Sequence, residues 1–153
     1  MNVKDFESED DVEKTLGTFL SFAKNSKFNF FGCEEGLMVR DLNFNFVKDI
    51  KLSTFYGIRS IQCINDNILY IANDNHVSVL DIGDMDYTPL ETSLSMKKFI
   101  QALVLLGKPY HIAICCTDGL FFAEILKNHH FLPKLTKEIY CKGISISNVI
   151  EIN

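Results

Sequence analysis

From about Thr18 onward, short apolar runs alternate with clusters of turn-forming residues. "KFNFFG" stops at an acidic turn, and "GLMVRDL" and "FVKDIKL" follow it. Then come "GIRSIQCI", "ILYIAN", "HVSVLDI", "FIQALVLL", "YHIAICC", "LFFAEIL", "KEIYCK" and "ISISNVIEI". Turn signals every 8 to 12 residues or so, between runs of strand length, predict an all-β fold of the sandwich, barrel or propeller kind. The three prolines, Pro89, Pro109 and Pro133, each fall beside a proposed turn or strand edge, where a missing amide hydrogen is tolerated. One segment is ambiguous. In "DVEKTLGTFLSFAK" (11–24), Val12, Leu16, Phe19, Leu20 and Ala23 trace a helical stripe. Leu16, Phe19, Leu20 and Phe22 fit a strand ended by "KNSK", and Gly17 weakens the helix. A strand is expected at least in the second half, with a short N-terminal helix as the alternative.

A repeat organises the rest. "FFGCEEGLMVRDL" (30–42) matches "YIANDNHVSVLDI" (70–82) and "AICCTDGLFFAEI" (113–125) position by position. Each copy has an apolar run, an acidic or amide turn, and a pivot at Gly36, His76 or Gly119. Each then resumes alternating apolar positions and closes on an acid and an aliphatic, at Asp41, Asp81 and Glu124. The pivots are 40 and 43 residues apart, the length of one four-stranded propeller blade. An apolar strand precedes each hairpin ("TFLSFA", "IRSIQCI", "IQALVLL") and a more polar one follows ("FVKDIKL", "YTPLETS", "LPKLTKEIY"). The expected organisation is an acidic arm over 1–10 and one propeller-like domain over 11–153. Its blades cover about 16–53, 57–94 and 98–141, with an extra strand at 143–152 opening a further blade.

These hairpins resemble those of the WD40 superfamily of β-propellers over roughly Thr18 to Ile125. The family hairpin ends in a Trp-Asp pair. Here the acid stays while Arg40, Leu80 and Ala123 replace the tryptophan, which is absent from the chain. Within the superfamily, "FLSFAKNSKFNFFGCEEGLMVRDL" and "IRSIQCINDNILYIANDNHVSVLDI" look like blades of the phosphoinositide-binding propellers of autophagy. "GCEEGLMVRDL" is also similar to the citron-homology propellers. The autophagy group binds lipid through a Phe-Arg-Arg-Gly motif that this chain lacks, so its lipid activity is not implied. Three blades fall short of the four or more of a closed propeller. They leave sheet edges open to other protein subunits or to self-association.

Composition narrows the function. With 47% hydrophobic and 23% charged residues, the 153-residue chain is globular and long enough for a real core. A net charge of −5 has the wrong sign for wrapping nucleic-acid phosphates or an anionic membrane. "MKKF" (96–99) is the densest basic spot. No apolar run approaches a membrane span, and the acidic start lacks the apolar core of a secretory signal. Cys33, Cys63, Cys115, Cys116 and Cys141 lie in apolar runs, which suits buried thiols in a cytoplasmic or nuclear protein.

Candidate chemistry is sparse. Cys115 and Cys116 are adjacent in a proposed strand and so face opposite ways. His129, His130 and Cys141 lack zinc-ligand spacing, so neither metal nor cofactor is expected. The repeated acids Asp41, Asp81 and Glu124 read as turn-amide acceptors or partners of a base. "GCEEG" and "TDG" read as hairpin turns, without the following Lys-Ser/Thr of a phosphate loop. The expectation is a non-catalytic protein–protein interaction or scaffold module that docks into a larger complex. Its candidate contacts are Phe55, Tyr56 and Arg59 in "STFYGIR", and Met96, Lys97 and Lys98 in "SMKKF"; Phe55 also reads as a core plug. The alternative is a phosphoinositide-recruited, membrane-associated propeller of the autophagy type using the basic loop. A ribonucleoprotein subunit that touches protein rather than RNA is a third reading.

Overall fold

The computed structural model describes residues 16–83, 89–108 and 110–152. Among these residues it contains strands and no helix. They form three four-stranded antiparallel sheets, each a meander of consecutive strands. Blade 1 comprises β1 (Phe19–Lys24), β2 (Phe28–Cys33), β3 (Gly36–Asp41) and β4 (Phe46–Lys51). Blade 2 comprises β5 (Ile58–Cys63), β6 (Ile68–Asn73), β7 (His76–Asp81) and β8 (Pro89–Ser95). Blade 3 comprises β9 (Ile100–Leu105), β10 (His111–Cys116), β11 (Gly119–Leu126) and β12 (Leu132–Tyr140). The expected acidic arm and residues 11–15 of the ambiguous segment lie outside the described residues. The second half of that segment is β1, paired with β2 from Phe19↔Cys33 to Lys24↔Asn29. A helical stripe and a half-buried strand look alike over so short a run, and the available ladder partner decides.

The blades stack face to face, which explains why the central strands are apolar on both sides. In β6, Leu69 and Ile71 join Phe30, Val39 and Ile58 in the core between blades 1 and 2. The alternate residues Ile68, Tyr70 and Ala72 join Ile100, Ile112 and Ile114 between blades 2 and 3. Period-two alternation therefore serves two cores at once. The first strands of successive blades lie side by side and exchange side-chain bonds. Ser21 Oγ donates to Ile58 O at 2.7 Å. Ser60 Oγ accepts from Leu103 N at 3.0 Å, and Gln62 Oε1 accepts from Leu105 N at 3.2 Å. Of the last strands, β12 is largely exposed and β4 mostly half-buried. Pro89 opens β8 and Pro133 lies in β12, both outermost strands.

Residues 143–152 depart from expectation, because they form no strand. They run beside β9 as β9 runs beside β5: Gln101 Nε2 donates to Ser145 Oγ at 2.7 Å, and Ile146 N donates to Cys116 O at 2.9 Å. Among the described residues this segment has no ladder partner. Apolar alternation alone does not make a strand when a segment has isolated backbone bonds and no ladder. Arg40, in the closing strand of the first hairpin, is 7% exposed. It bonds Asp49 Oδ1 at 2.8 Å and lies 5.0 Å from the centre of the Phe46 ring.

Candidate functional site

Three hairpin turns (β2–β3, β6–β7, β10–β11) and two blade-joining loops (52–57, 96–99) gather at one end of the blades. A repeated set of backbone bonds ties each departing chain to the central turn of its own blade. Leu52 N donates to Glu35 O at 3.0 Å, Met96 N to Asn75 O at 2.8 Å, and Gly143 N to Asp118 O at 2.7 Å. A second set ties that turn to the chain entering the same blade, through Glu34 N to Thr18 O and Thr117 N to Phe99 O, both 3.1 Å. In blade 2 a side chain takes over the second task.

That side chain is Asp74. Its carboxylate accepts from Thr54 Oγ1 at 3.0 Å, Phe55 N at 3.0 Å and Tyr56 N at 2.9 Å. Thr54 Oγ1 in turn accepts from Gly57 N at 2.9 Å. Gly57 has φ +80°, and a Cβ there would sit 2.4 Å from Leu20 Cδ1, so the loop can close only on glycine. The result is a rigid loop with Phe55 93% exposed at its tip. Tyr56, also exposed, meets Phe99 edge-on at 5.1 Å between ring centres. Phe55, Tyr56, Asp74, Asn75, His76 and Phe99 line an open depression of about 300 Å³.

Two bonded pairs form the far wall of this depression. His76 Nδ1 and Ser95 Oγ are 2.9 Å apart, and Asn75 Nδ2 donates to Met96 O at 2.8 Å. Beyond the wall, between blades 2 and 3, lies a second cavity of about 310 Å³. At the opposite end, Asn65, Asn67, Lys127 and His130 border a wider, polar opening of about 670 Å³. It contains no buried polar atom lacking a partner among the described residues.

The structure brings Phe55 and Tyr56 together, with Arg59 beside them donating from Nε to Tyr56 O at 3.1 Å. Phe55 is no core plug. Lys97 and Lys98 are exposed on the neighbouring loop. Met96 is a correction: it does not stand on the outer loop surface with the two lysines but lies at the floor of the cavity between blades 2 and 3. It is 6% exposed and packs in the core between blades 2 and 3, its backbone pinned on both sides by Asn75. The sequence reading missed Asp74, Phe99 and Asp118. Aligning the repeats would have shown Asp74 opposite Glu34, two residues before the pivot in each copy.

The pivots differ physically. Gly36 is needed because a Cβ would lie 2.1 Å from Ile50 O. Gly119 has φ +153°, whereas in blade 2 the left-handed residue is Asp74 at φ +56° and not His76. Among the repeated acids, Asp41 accepts from Asn43 N and Asn45 N at 2.9 and 2.8 Å. The backbone bond from Asn45 holds its carboxyl below the usual carboxylate range. Asp81 accepts from Gly83 N at 2.8 Å. Glu124 is exposed and lies opposite Lys134 in the ladder.

Cys33, Cys115 and Cys116 are buried, whereas Cys141, expected in an apolar run, is exposed. Burial pushes the Cys115 thiol up to about 11 and that of Cys116 to about 12, so neither is an activated nucleophile. His129 and His130 sit at one end of β12 and Cys141 at the other, roughly 30 Å away at about 3.3 Å per strand residue.

No family model and no curated protein matches this chain. Solved structures do match its fold. The WD40 domain of Neurospora crassa Pan2 superposes with TM-score 0.64 at 12% identity, over 86% of this chain and 38% of that one. A computationally designed protein, Ika8, superposes with TM-score 0.62 at 17% identity, over 84% of this chain and 38% of that one. A functionally unknown protein from Desulfotomaculum acetoxidans gives TM-score 0.51 at 7% identity, over 78% of this chain and 55% of that one. The chain thus spans little more than a third of the length of the first two. At these identities the likeness concerns the fold: three consecutive blades of a WD40-like β-propeller.

Proposed function

We propose that this chain is a non-catalytic protein-interaction module that docks into a larger complex through the end carrying Phe55, Tyr56 and Phe99. The observation that carries the reading is the exposure of Phe55 on a loop held by three bonds to Asp74. An aromatic kept in water by a rigid loop loses apolar burial without gaining flexibility. A partner that covers it recovers that burial at little ordering cost. Arg59, Lys97 and Lys98 add polar contacts around the aromatic centre, the usual layout of an interface.

A second surface supports docking into an assembly. Phe19, Phe22 and Phe44 cluster around Phe31 on blade 1, with ring centres 5.4, 5.1 and 6.4 Å from it. All three outer rings are exposed. In stacked blades such a face is covered by the next sheet, and here further protein is the natural cover.

The test is a peptide-display selection on the folded protein, followed by affinities for the Phe55→Ser variant and an Asn128→Ser control at the exposed opposite end. The reading expects peptides whose binding falls at least tenfold with Phe55→Ser and stays within twofold with Asn128→Ser. Equal binding to both variants overturns it. So does flotation with phosphoinositide vesicles that Lys97→Glu with Lys98→Glu abolishes, because that outcome supports membrane recruitment instead.

A further inference from the structure

The cavity between blades 2 and 3 has features that the blade fold itself does not use. Its apolar surface comes from Met96, Phe121, Leu135 and Ile139, with Met96 and Phe121 buried in the core beneath. Asp118 borders it, and Asp118 Oδ1 is a buried oxygen with no hydrogen-bond partner among the described residues. Lys97 and Lys142 also border the cavity, and neither forms an ion pair among the described residues. The rim thus carries two positive groups and one negative on a chain whose net charge is −5.

The cavity is preformed. Met96 is fixed by both bonds to Asn75, and Asp118 is fixed through its carbonyl by Gly143 N. At about 310 Å³ it lies at the small end of ligand sites. That suits one large side chain with its backbone, and not an extended cofactor.

We propose that this cavity receives an extended peptide segment bearing one apolar side chain next to an acidic residue. The apolar side chain covers Met96, Phe121, Leu135 and Ile139. The acidic side chain pairs with Lys97 and Lys142. The local reversal of charge supplies specificity, because most of the protein attracts cations while this rim attracts an anion. The inference rests on reading this end of the blades as a docking surface, and it names the partner's chemistry. The cavity adjoins the Phe55 depression across the His76–Ser95 pair, so one segment can span both.

Three labelled eight-residue peptides test it by fluorescence anisotropy against the full chain: a central leucine flanked by glutamates, the same with lysines, and the glutamate peptide with serine in place of leucine. The glutamate–leucine peptide is expected to bind at least tenfold more tightly than either relative. It should weaken at least tenfold for the double variant Lys97→Glu with Lys142→Glu, whose substitutions change rim side chains only. Equal binding of the three peptides, no binding of any at millimolar concentration, or preference for the lysine peptide overturns the proposal. If display-selected peptides depend on Phe55 but ignore the lysine double variant, the cavity assignment fails and the docking face stands. If they depend on the lysines but ignore Phe55→Ser, the cavity assignment stands and the aromatic tip loses its role.

Discussion

Replacing Asp74 with asparagine separates a preorganised loop from one that is merely exposed. Asparagine tolerates the φ of +56° at this position, so the turn backbone survives. It cannot accept all three bonds. One carboxylate oxygen receives Thr54 Oγ1 and Tyr56 N, the other receives Phe55 N, and an amide offers only one acceptor. Whichever way it turns, at least one amide faces an NH₂ group. A hydrogen bond to a charged acceptor is worth about 1.5 to 3 kcal/mol, and the half-exposed position reduces this to about 1 to 2 kcal/mol. Hydrogen exchange at the Phe55 and Tyr56 amides should therefore accelerate about 5- to 30-fold. A bound segment must then order those residues again, at about 1 to 2 kcal/mol, so affinity for Phe55-dependent peptides should fall by a similar factor. Unchanged exchange would refute the clamp. Faster exchange with unchanged affinity would refute the idea that rigidity of the tip contributes to binding.

Other outcomes follow from the blade interfaces. Tyr70, buried in blade 2, donates its hydroxyl to Phe131 O in blade 3. This restrains a turn in which His130 and Phe131 both have positive φ. Tyr70→Phe should cost about 1 to 3 kcal/mol in urea unfolding, and a loss below 0.5 kcal/mol would contradict the interblade lock. Asp66 accepts from Ser26 Oγ at 2.6 Å and Ser26 N at 3.2 Å, which lowers its folded value below the usual 3.8. A depressed carboxyl contributes its stability above the unfolded value and loses it as pH falls through the folded one. The melting temperature of the wild type should therefore fall more steeply below about pH 3.8 than that of Asp66→Asn; parallel curves would count against the bond. Native-state alkylation at pH 8 should label Cys141 well before Cys33, Cys115 or Cys116, and simultaneous labelling would contradict their burial.

The hairpins were legible in the sequence because apolar alternation, acidic turns and closing acids recur at nearly constant spacing. Their flanking strands followed from the length of a blade. What stayed hidden depended on partners distant in sequence. β1 fits two periodicities until β2 supplies its ladder. Residues 143–152 alternate like a strand yet find no edge to pair with. Met96 precedes two lysines and reads as loop, but Asn75, 21 residues earlier, turns it into the core. Asp74 looks like any turn acid until its three bonds to the preceding loop are seen. Local pattern picked out Phe55 and Tyr56 as loop residues but not the Asp74 carboxylate that holds them, because that clamp comes from 18 to 20 residues away.

The central claim is that one end of the blades is the docking face. Titrating the isotope-labelled protein with a display-selected peptide and following its amide resonances tests this most directly. The account predicts shifts concentrated at residues 54–57, 74–76 and 95–99, with the opposite-end turns 42–45 and 127–131 unmoved. Shifts centred on those opposite turns, or on the Phe19–Phe31–Phe44 face with 54–57 silent, would contradict it.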